Sequence, residues 1–162
     1  MNEPAIPQSI RDFVARRAEH CCEYCWSQQM YCPDPLSIDH IEPRSRGGSS
    51  DESNLALSCG GCNGLKHAAT HGVDPVSDRD APLYHPRRDR WSDHFAWSSD
   101  SHEIHGVSAT GRATIHRLQL NRSSVTNLRR VLHAIGKHPP TLFWEPSGSS
   151  RTTTDNDFAS ET

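Results

Sequence analysis

The spacing of apolar residues divides the first half of the chain into two predicted helices and two predicted strands. Ile10, Phe13 and Val14 recur at helical spacing, so the first helix is expected to cover the core with one apolar face. The segment from Leu36 to Ile41 alternates and contains β-branched residues, as strands do. The predicted elements are a helix from Ser9, strands over 36–41 and 54–58, and a helix from Cys62 to about His71.

The second half of the chain is predicted to begin with a linker and to continue mainly as helix. Residues 70–82 are polar and rich in Asp, which favours a linker, whereas residues 102–107 alternate as a strand does. A short helix is expected over 110–120. A clearer helix is expected from Ser123 to Gly136, with one apolar face formed by Val125, Leu128, Val131, Leu132 and Ile135.

These elements divide the chain into three predicted parts. Residues 9–72 form a core with its N-terminal helix, residues 73–138 form a C-terminal extension, and residues 139–162 form a disordered tail rich in Pro, Ser and Thr. Only 33% of the 162 residues are hydrophobic and the mean hydropathy is −0.74, so the core must be thin. A thin core usually needs an additional staple, and structural zinc is one of the standard ones.

The overall charge gives no general attraction to nucleic acid, because the net charge is −3. Basic residues are nevertheless concentrated in residues 106–145, which contain six Lys and Arg residues and one acid. The N-terminal MNEPAIPQS has neither the basic lead nor the apolar stretch of a signal peptide. No apolar run approaches the length of about 20 residues that spans a membrane. A cytoplasmic location without membrane attachment is therefore expected, and there paired cysteines bind metal more often than they form disulfides.

Four of the six cysteines form two Cys-x-x-Cys pairs, here called the first and second knuckles. The first knuckle is Cys22 and Cys25, and the second is Cys59 and Cys62. This arrangement predicts a closed structural zinc site, with disulfides or unliganded thiols as the alternative. The 33 residues between Cys25 and Cys59 must contain folded structure. Cys21 and Cys32 are predicted bystanders, although Cys21 could compete for the metal.

The segment of about residues 20–70 resembles an HNH endonuclease, a member of the ββα-metal nucleases. The matching pieces are CEYC, IDHIEPRSRGG, the Asn of DESNLALSC, and CGGCNGLK. The resemblance implies an α+β fold with a zinc-stapled ββα-metal core, to which the sequence adds an N-terminal helix and a mainly helical extension. LYHPRRDRWSDHFAW and VSATGRATIHRLQLNR resemble, more loosely, the C-terminal extension of one bacterial subfamily of small HNH proteins.

The resemblance also implies roles for individual residues. His40 would be the general base, Asn54 would orient it, and Asp39 and Asn63 would bind a catalytic Mg²⁺, Mn²⁺ or similar ion. The residue types agree, since a histidine offers a neutral imidazole near pH 7 and neighbouring strand residues face opposite ways. His67 follows Asn63 by four residues, so it is either a third ligand on the same helical face or an exposed helix residue.

Basic residues in three regions are candidates for nucleic-acid contact. They are Arg44 and Arg46 in a Gly-rich loop, Lys66 after the second knuckle, and Arg87, Arg88 and Arg90 beside several aromatic residues. We expect the tryptophans among those aromatics to pack the extension onto the core. For Arg122, Arg129 and Arg130, a solvated helix face is favoured over contact with a DNA backbone.

These features together predict a metal-dependent HNH endonuclease that hydrolyses nucleic acid, with DNA favoured over RNA. One alternative is a zinc-binding nucleic-acid module that binds and does not cut. A second alternative is a toxin or effector nuclease, which an adjacent immunity gene would support.

Overall fold

The computed structural model describes residues 5–141, which form three antiparallel strand pairs and five α-helices. The helices are α1 (Gln8–Arg17), α2 (Gly60–Lys66), α3 (Trp91–His94), α4 (Ala109–Leu118) and α5 (Ser123–Ala134). The strands are β1 (Ser37–His40), β2 (Leu55–Ser58), β3 (His71–Asp74), β4 (Arg79–Pro82), β5 (Phe95–Trp97) and β6 (Ile104–Gly106). The α+β class is therefore confirmed. Within the described residues, every helix is too short or too polar to span a bilayer.

The predicted hairpin and helix lie at the centre of the first half. Strands β1 and β2 pair antiparallel, with Asp39 opposite Ala56 and His40 opposite Leu55, and α2 begins one residue after Cys59. Helix α1 covers β2 as expected, because Val14 and Ala18 bury against Leu55 and Leu57. Charge strengthens this contact, since Arg17 donates hydrogen bonds to the carbonyl oxygens of Glu52 and Leu55 at 3.0 and 2.8 Å.

Helix α2 is shorter than predicted. It ends at Lys66, because His67 adopts a positive φ of 49° that a right-handed helix cannot contain. The chain turns there, so residues 68–70 lead directly into β3. The expected continuation of the helix to His71 was wrong.

The predicted polar linker over residues 70–82 is a β-hairpin, formed by β3 and β4 and packed against α4. Most of its side chains are exposed on both faces, so its sequence lacks the alternation that signals a strand. The hairpin is held against α4 by an ion pair between residues that are distant in sequence. Arg112 of α4 donates to both oxygens of the buried Asp74 carboxylate at 2.8 Å, and these hydrogen bonds lower the pKa of Asp74.

The extension shares one hydrophobic core with the zinc-knuckle region. A continuous cluster of buried residues joins Cys22 and Cys59 to Leu118, Leu120 and Val125. The tryptophans pack inside the molecule as expected, with the Trp91 ring 6.1 Å from Trp26 and 5.5 Å from Trp97 between centroids.

Helix α5 packs differently from its predicted face. Val125 and Leu132 are buried, but Val131 and Ile135 are more than 60% exposed. Arg129, expected on a solvated face, is buried instead and donates hydrogen bonds to the carbonyl oxygens of His102, Cys25 and Leu120. These three bonds tie α5 to both the extension and the first knuckle. Most of the predicted disordered tail, residues 142–162, lies outside the described residues.

Candidate functional site

The two knuckles meet in a compact cluster of sulfur atoms. The four Sγ atoms of Cys22, Cys25, Cys59 and Cys62 lie within 4.8 Å of one another, and all four residues are buried. The Sγ atoms of Cys25 and Cys59 are 3.6 Å apart, which is too far for a disulfide bond. Tetrahedral zinc with Zn–S bonds of about 2.3 Å places its sulfurs about 3.8 Å apart, so this cluster fits zinc.

Local structure explains why this cluster forms. Cys59 caps the N-terminus of α2, with its sulfur accepting a hydrogen bond from the Cys62 amide at 3.5 Å, so one helical turn presents both thiols to the same point. Cys21 lies outside the cluster, and its sulfur is 3.4 Å from the Glu19 carbonyl oxygen. Burial raises the pKa of the Cys21 thiol to about 11, so this thiol is a poor competitor for metal.

One neighbour of the cluster was not predicted as part of any site. Arg122 approaches the second knuckle from the extension, with Nη2 3.3 Å from Cys59 Sγ and Nη1 3.7 Å from Cys62 Sγ. Local sequence patterns could not reveal this contact, because about 60 residues separate the partners.

A second site is an open pocket of about 520 Å³ beside β1 and α2. It brings together four residues predicted for catalysis or metal binding, and one predicted for nucleic-acid contact. These residues are Asp39, His40, Asn63, His67 and Arg44.

His40 ends β1, and both it and its neighbour Asp39 line the pocket. Its Nε2 lies 3.0 Å from the Ser50 hydroxyl, which fixes the orientation of the imidazole. Asn54 holds the loop that carries Ser50. Its amide oxygen accepts from the Glu42 amide at 2.8 Å, and its Nδ2 donates to the carbonyl oxygens of Glu42 and Ser49. Ser50 was missed, since a loop serine has no pattern that marks it.

Asp39 occupies the inner wall of the pocket and is only 4% exposed. Its Oδ2 accepts a hydrogen bond from the Tyr24 hydroxyl at 2.7 Å and lies 3.0 Å from Lys66 Nζ. The Lys66 ammonium also donates to the His40 carbonyl oxygen at 3.1 Å. Lys66 was expected to meet phosphate, but it is 2% exposed and holds Asp39 and His40 in place instead.

Asn63 and His67 lie on the α2 side of the pocket. Asn63 Nδ2 donates to the Ser37 hydroxyl at 3.1 Å, so its amide oxygen is the atom that it can offer to a cation. His67 is exposed at the end of α2. Within residues 5–141, the four cysteines are the one group of three or more His, Cys, Asp or Glu residues close enough to hold an ion together. Among the described residues, the pocket therefore contains no such group of three.

The segment that carries both sites agrees with a known family. Residues 22–69 match the family model of the HNH endonucleases. This segment is an HNH domain. The match spans both knuckles and every residue predicted for catalysis or metal binding, so the domain indicates a nuclease with nucleic acid as its substrate. No curated protein matches the chain in a comparison with such proteins.

The basic residues around the HNH domain differ in their exposure. Arg44, Arg46, Arg88 and Arg90 are exposed, with Arg44 at the pocket beside β1 and α2 and Arg88 at a neighbouring pocket. Arg87 forms an ion pair with Glu23, and both side chains are largely buried. A contact between Arg87 and nucleic acid would require this pair to break.

Proposed function

We propose that the protein is a metal-dependent HNH endonuclease that hydrolyses phosphodiester bonds in nucleic acid, with DNA favoured over RNA. The observation that supports this most strongly is the convergence of Asp39, His40, Asn63, His67 and Arg44 on one open pocket of the HNH domain. Hydrolysis needs a base, positive charge near the phosphate, and fixed geometry between them. The pocket offers residues for all three.

In this proposal His40 acts as the general base. It takes a proton from a water molecule while the water oxygen attacks phosphorus and the bond to the leaving oxygen breaks. Ser50 orients the imidazole, and Lys66 holds the backbone carbonyl of His40, so the base has little freedom to turn. Asn54 contributes by fixing the loop between β1 and β2.

Two metals with different roles are proposed. A zinc ion held by the four cysteines would be structural, because the set is closed and buried. Asp39, Asn63 and His67 would hold an exchangeable Mg²⁺, Mn²⁺ or similar ion, whose charge would offset that of the phosphate and the leaving oxygen. A carboxylate has about four acceptor positions, so the bonds from Tyr24 and Lys66 leave room on Asp39.

The nucleic acid is proposed to run past the exposed arginines. Arg44 lies at the pocket itself, and Arg46, Arg88 and Arg90 would contact the backbone on either side. These are contacts to phosphate, so they supply affinity without sequence selection.

The test is cleavage of supercoiled plasmid by zinc-loaded protein after EDTA treatment, with Mg²⁺, Mn²⁺ or no metal added back. Metal-dependent nicking is expected, and His40→Ala should lose at least a hundredfold of the rate while retaining fold and zinc. His116→Ala is the matched control, because His116 is exposed on α4 away from the pocket. Cutting by His40→Ala at the rate of the His116→Ala control would refute the role of His40.

The second candidate function is a module that binds nucleic acid without cutting it. The observation that favours it is the engagement of Asp39 by Lys66 and Tyr24, which places a cation where a metal ligand would need a free carboxylate. Binding of plasmid in a gel shift, with no cleavage under any metal tested on DNA or RNA, would establish this alternative.

A further inference from the structure

The guanidinium of Arg122 joins two parts of the molecule that are distant in sequence. It precedes α5, and it touches the sulfurs of Cys59 and Cys62 through different nitrogens. Nη1 also lies 3.3 Å from the Gln119 carbonyl oxygen, at the end of α4. One side chain therefore contacts the second knuckle and the connection between the two helices of the extension.

The negative charge of a zinc–thiolate cluster would be stabilised by the positive charge of Arg122. Four thiolates with one Zn²⁺ carry a net charge of −2, since four negative charges exceed two positive ones. A buried site of that charge is costly unless cations or hydrogen-bond donors lie close to the sulfurs. Arg122 supplies a positive charge and two donors at once, in the fork geometry that lysine lacks.

The glycine at position 61 makes room for the Arg122 guanidinium. A Cβ at Gly61 would lie 2.5 Å from Arg122 Nη2 and 2.8 Å from its Cζ, so the guanidinium rests directly against this glycine. At the neighbouring Gly60, a Cβ would meet nothing within 4 Å. Neither residue has the positive φ that would require glycine. Alanine at position 61 would therefore require the Arg122 guanidinium to move, whereas alanine at position 60 would not.

We propose that Arg122 is a positioning residue of the metal–thiolate centre, through which zinc binding and docking of the C-terminal extension stabilise each other. This inference rests on the proposed zinc site and does not depend on nuclease activity. Because coupling between binding events is reciprocal, loss of the Arg122 contact weakens zinc binding, and loss of zinc loosens α5. Outer-shell partners of metal ligands typically contribute about 10–100-fold to metal affinity. We therefore expect a loss of zinc affinity of that size when the Arg122 contact is removed.

The experiment measures zinc affinity of the full chain by competition with a chromophoric chelator. Arg122→Met should bind zinc about 10–100-fold more weakly, whereas Arg130→Met, which removes an exposed arginine from α5, should stay within about twofold of wild type. Gly61→Ala should weaken binding in the same direction by displacing the guanidinium. Gly60→Ala is its matched control, since both changes replace a glycine of α2 with alanine.

Hydrogen exchange supplies a second readout. Removal of zinc should increase amide exchange over α5 in the wild type, and this increase should be smaller in Arg122→Met. Wild-type affinity in Arg122→Met would overturn the proposal, as would equal affinities of Gly61→Ala and Gly60→Ala. If Arg122→Met does not fold, the glycine pair decides the question. If the wild-type chain binds no zinc through its cysteines, both the zinc site and this inference are refuted, whatever the cleavage assay shows.

Discussion

The buried ion pair between Lys66 and Asp39 allows a quantitative test of how the pocket beside β1 and α2 is held together. The Lys66 ammonium lies 3.0 Å from Asp39 Oδ2, and the side chains are 2% and 4% exposed. Removal of one partner from such a pair costs about 3–5 kcal/mol, because the other charge stays buried without compensation. In Lys66→Met, the Tyr24 hydroxyl still donates to Asp39, which places the expected loss at the lower end, about 3 kcal/mol.

The assay is urea unfolding followed by tryptophan fluorescence, in excess zinc so that metal occupancy stays constant. The melting temperature should also fall, by about 6–12 °C for a chain of this length. Lys137→Met is the matched control, because Lys137 is the only other lysine in the chain and is exposed. The control should change stability by less than about 0.5 kcal/mol.

A double-variant cycle isolates the interaction itself. Asp39→Asn removes the negative charge and keeps an acceptor for Tyr24, so Lys66→Met should cost much less in that background. A coupling energy of about 1–3 kcal/mol between the two positions is expected. Simple additivity of the two changes, or a loss below about 1 kcal/mol in Lys66→Met, would refute the reasoning.

Three further predictions concern the metal cluster and two buried titratable groups. Cys59→Ser should bind less zinc and lose about 4 kcal/mol of stability at free zinc near a thousand times the dissociation constant, and an unchanged melting temperature with full zinc content would contradict this. Burial lowers the pKa of His138 from 6.5 to about 4, so stability should fall as the pH drops from about 6.5 to about 4. The loss should be absent from His138→Gln in urea titrations across that range. The pKa of Asp74 is lowered by its hydrogen bonds from Arg112, so its contribution is present above about pH 4 and is lost on further acidification. Arg112→Met should therefore flatten the acid end of the stability profile, and a profile as steep as that of the wild type would exclude the pair as its source.

The sequence predicted those parts of the site that depend on local spacing. Both knuckles and the hairpin of β1 and β2 follow from short motifs and strand alternation. The parts that were missed depend on contacts between distant residues. The β3–β4 hairpin is held by Arg112, which is 38 residues from Asp74 in sequence. The periodicity of apolar residues along the chain cannot reveal a contact between residues so far apart in sequence.

The same limit explains the misjudged basic residues. A charged side chain in a polar run usually lies in solvent, and that rule holds for Arg130. It fails for Arg129, whose partners include a carbonyl 104 residues away, and for Lys66, whose carboxylate partner lies 27 residues away. Whether a cationic side chain is buried depends on whether the fold brings an acceptor oxygen from a distant part of the chain next to it. Only the folded structure shows this.

The shared core of the knuckles and the extension has a consequence for how such a protein can be divided. The match to the family model ends at residue 69, yet the apolar cluster that includes Cys22 and Cys59 is completed by Leu118, Leu120 and Val125. A fragment cut at that boundary would keep every proposed catalytic group. It would expose the apolar surface around the knuckles that the extension covers in the full chain. The family motif and the buried core therefore end at different residues of the chain. Recombination that exchanged one extension for another would have to preserve the apolar residues that pack around the cysteine cluster.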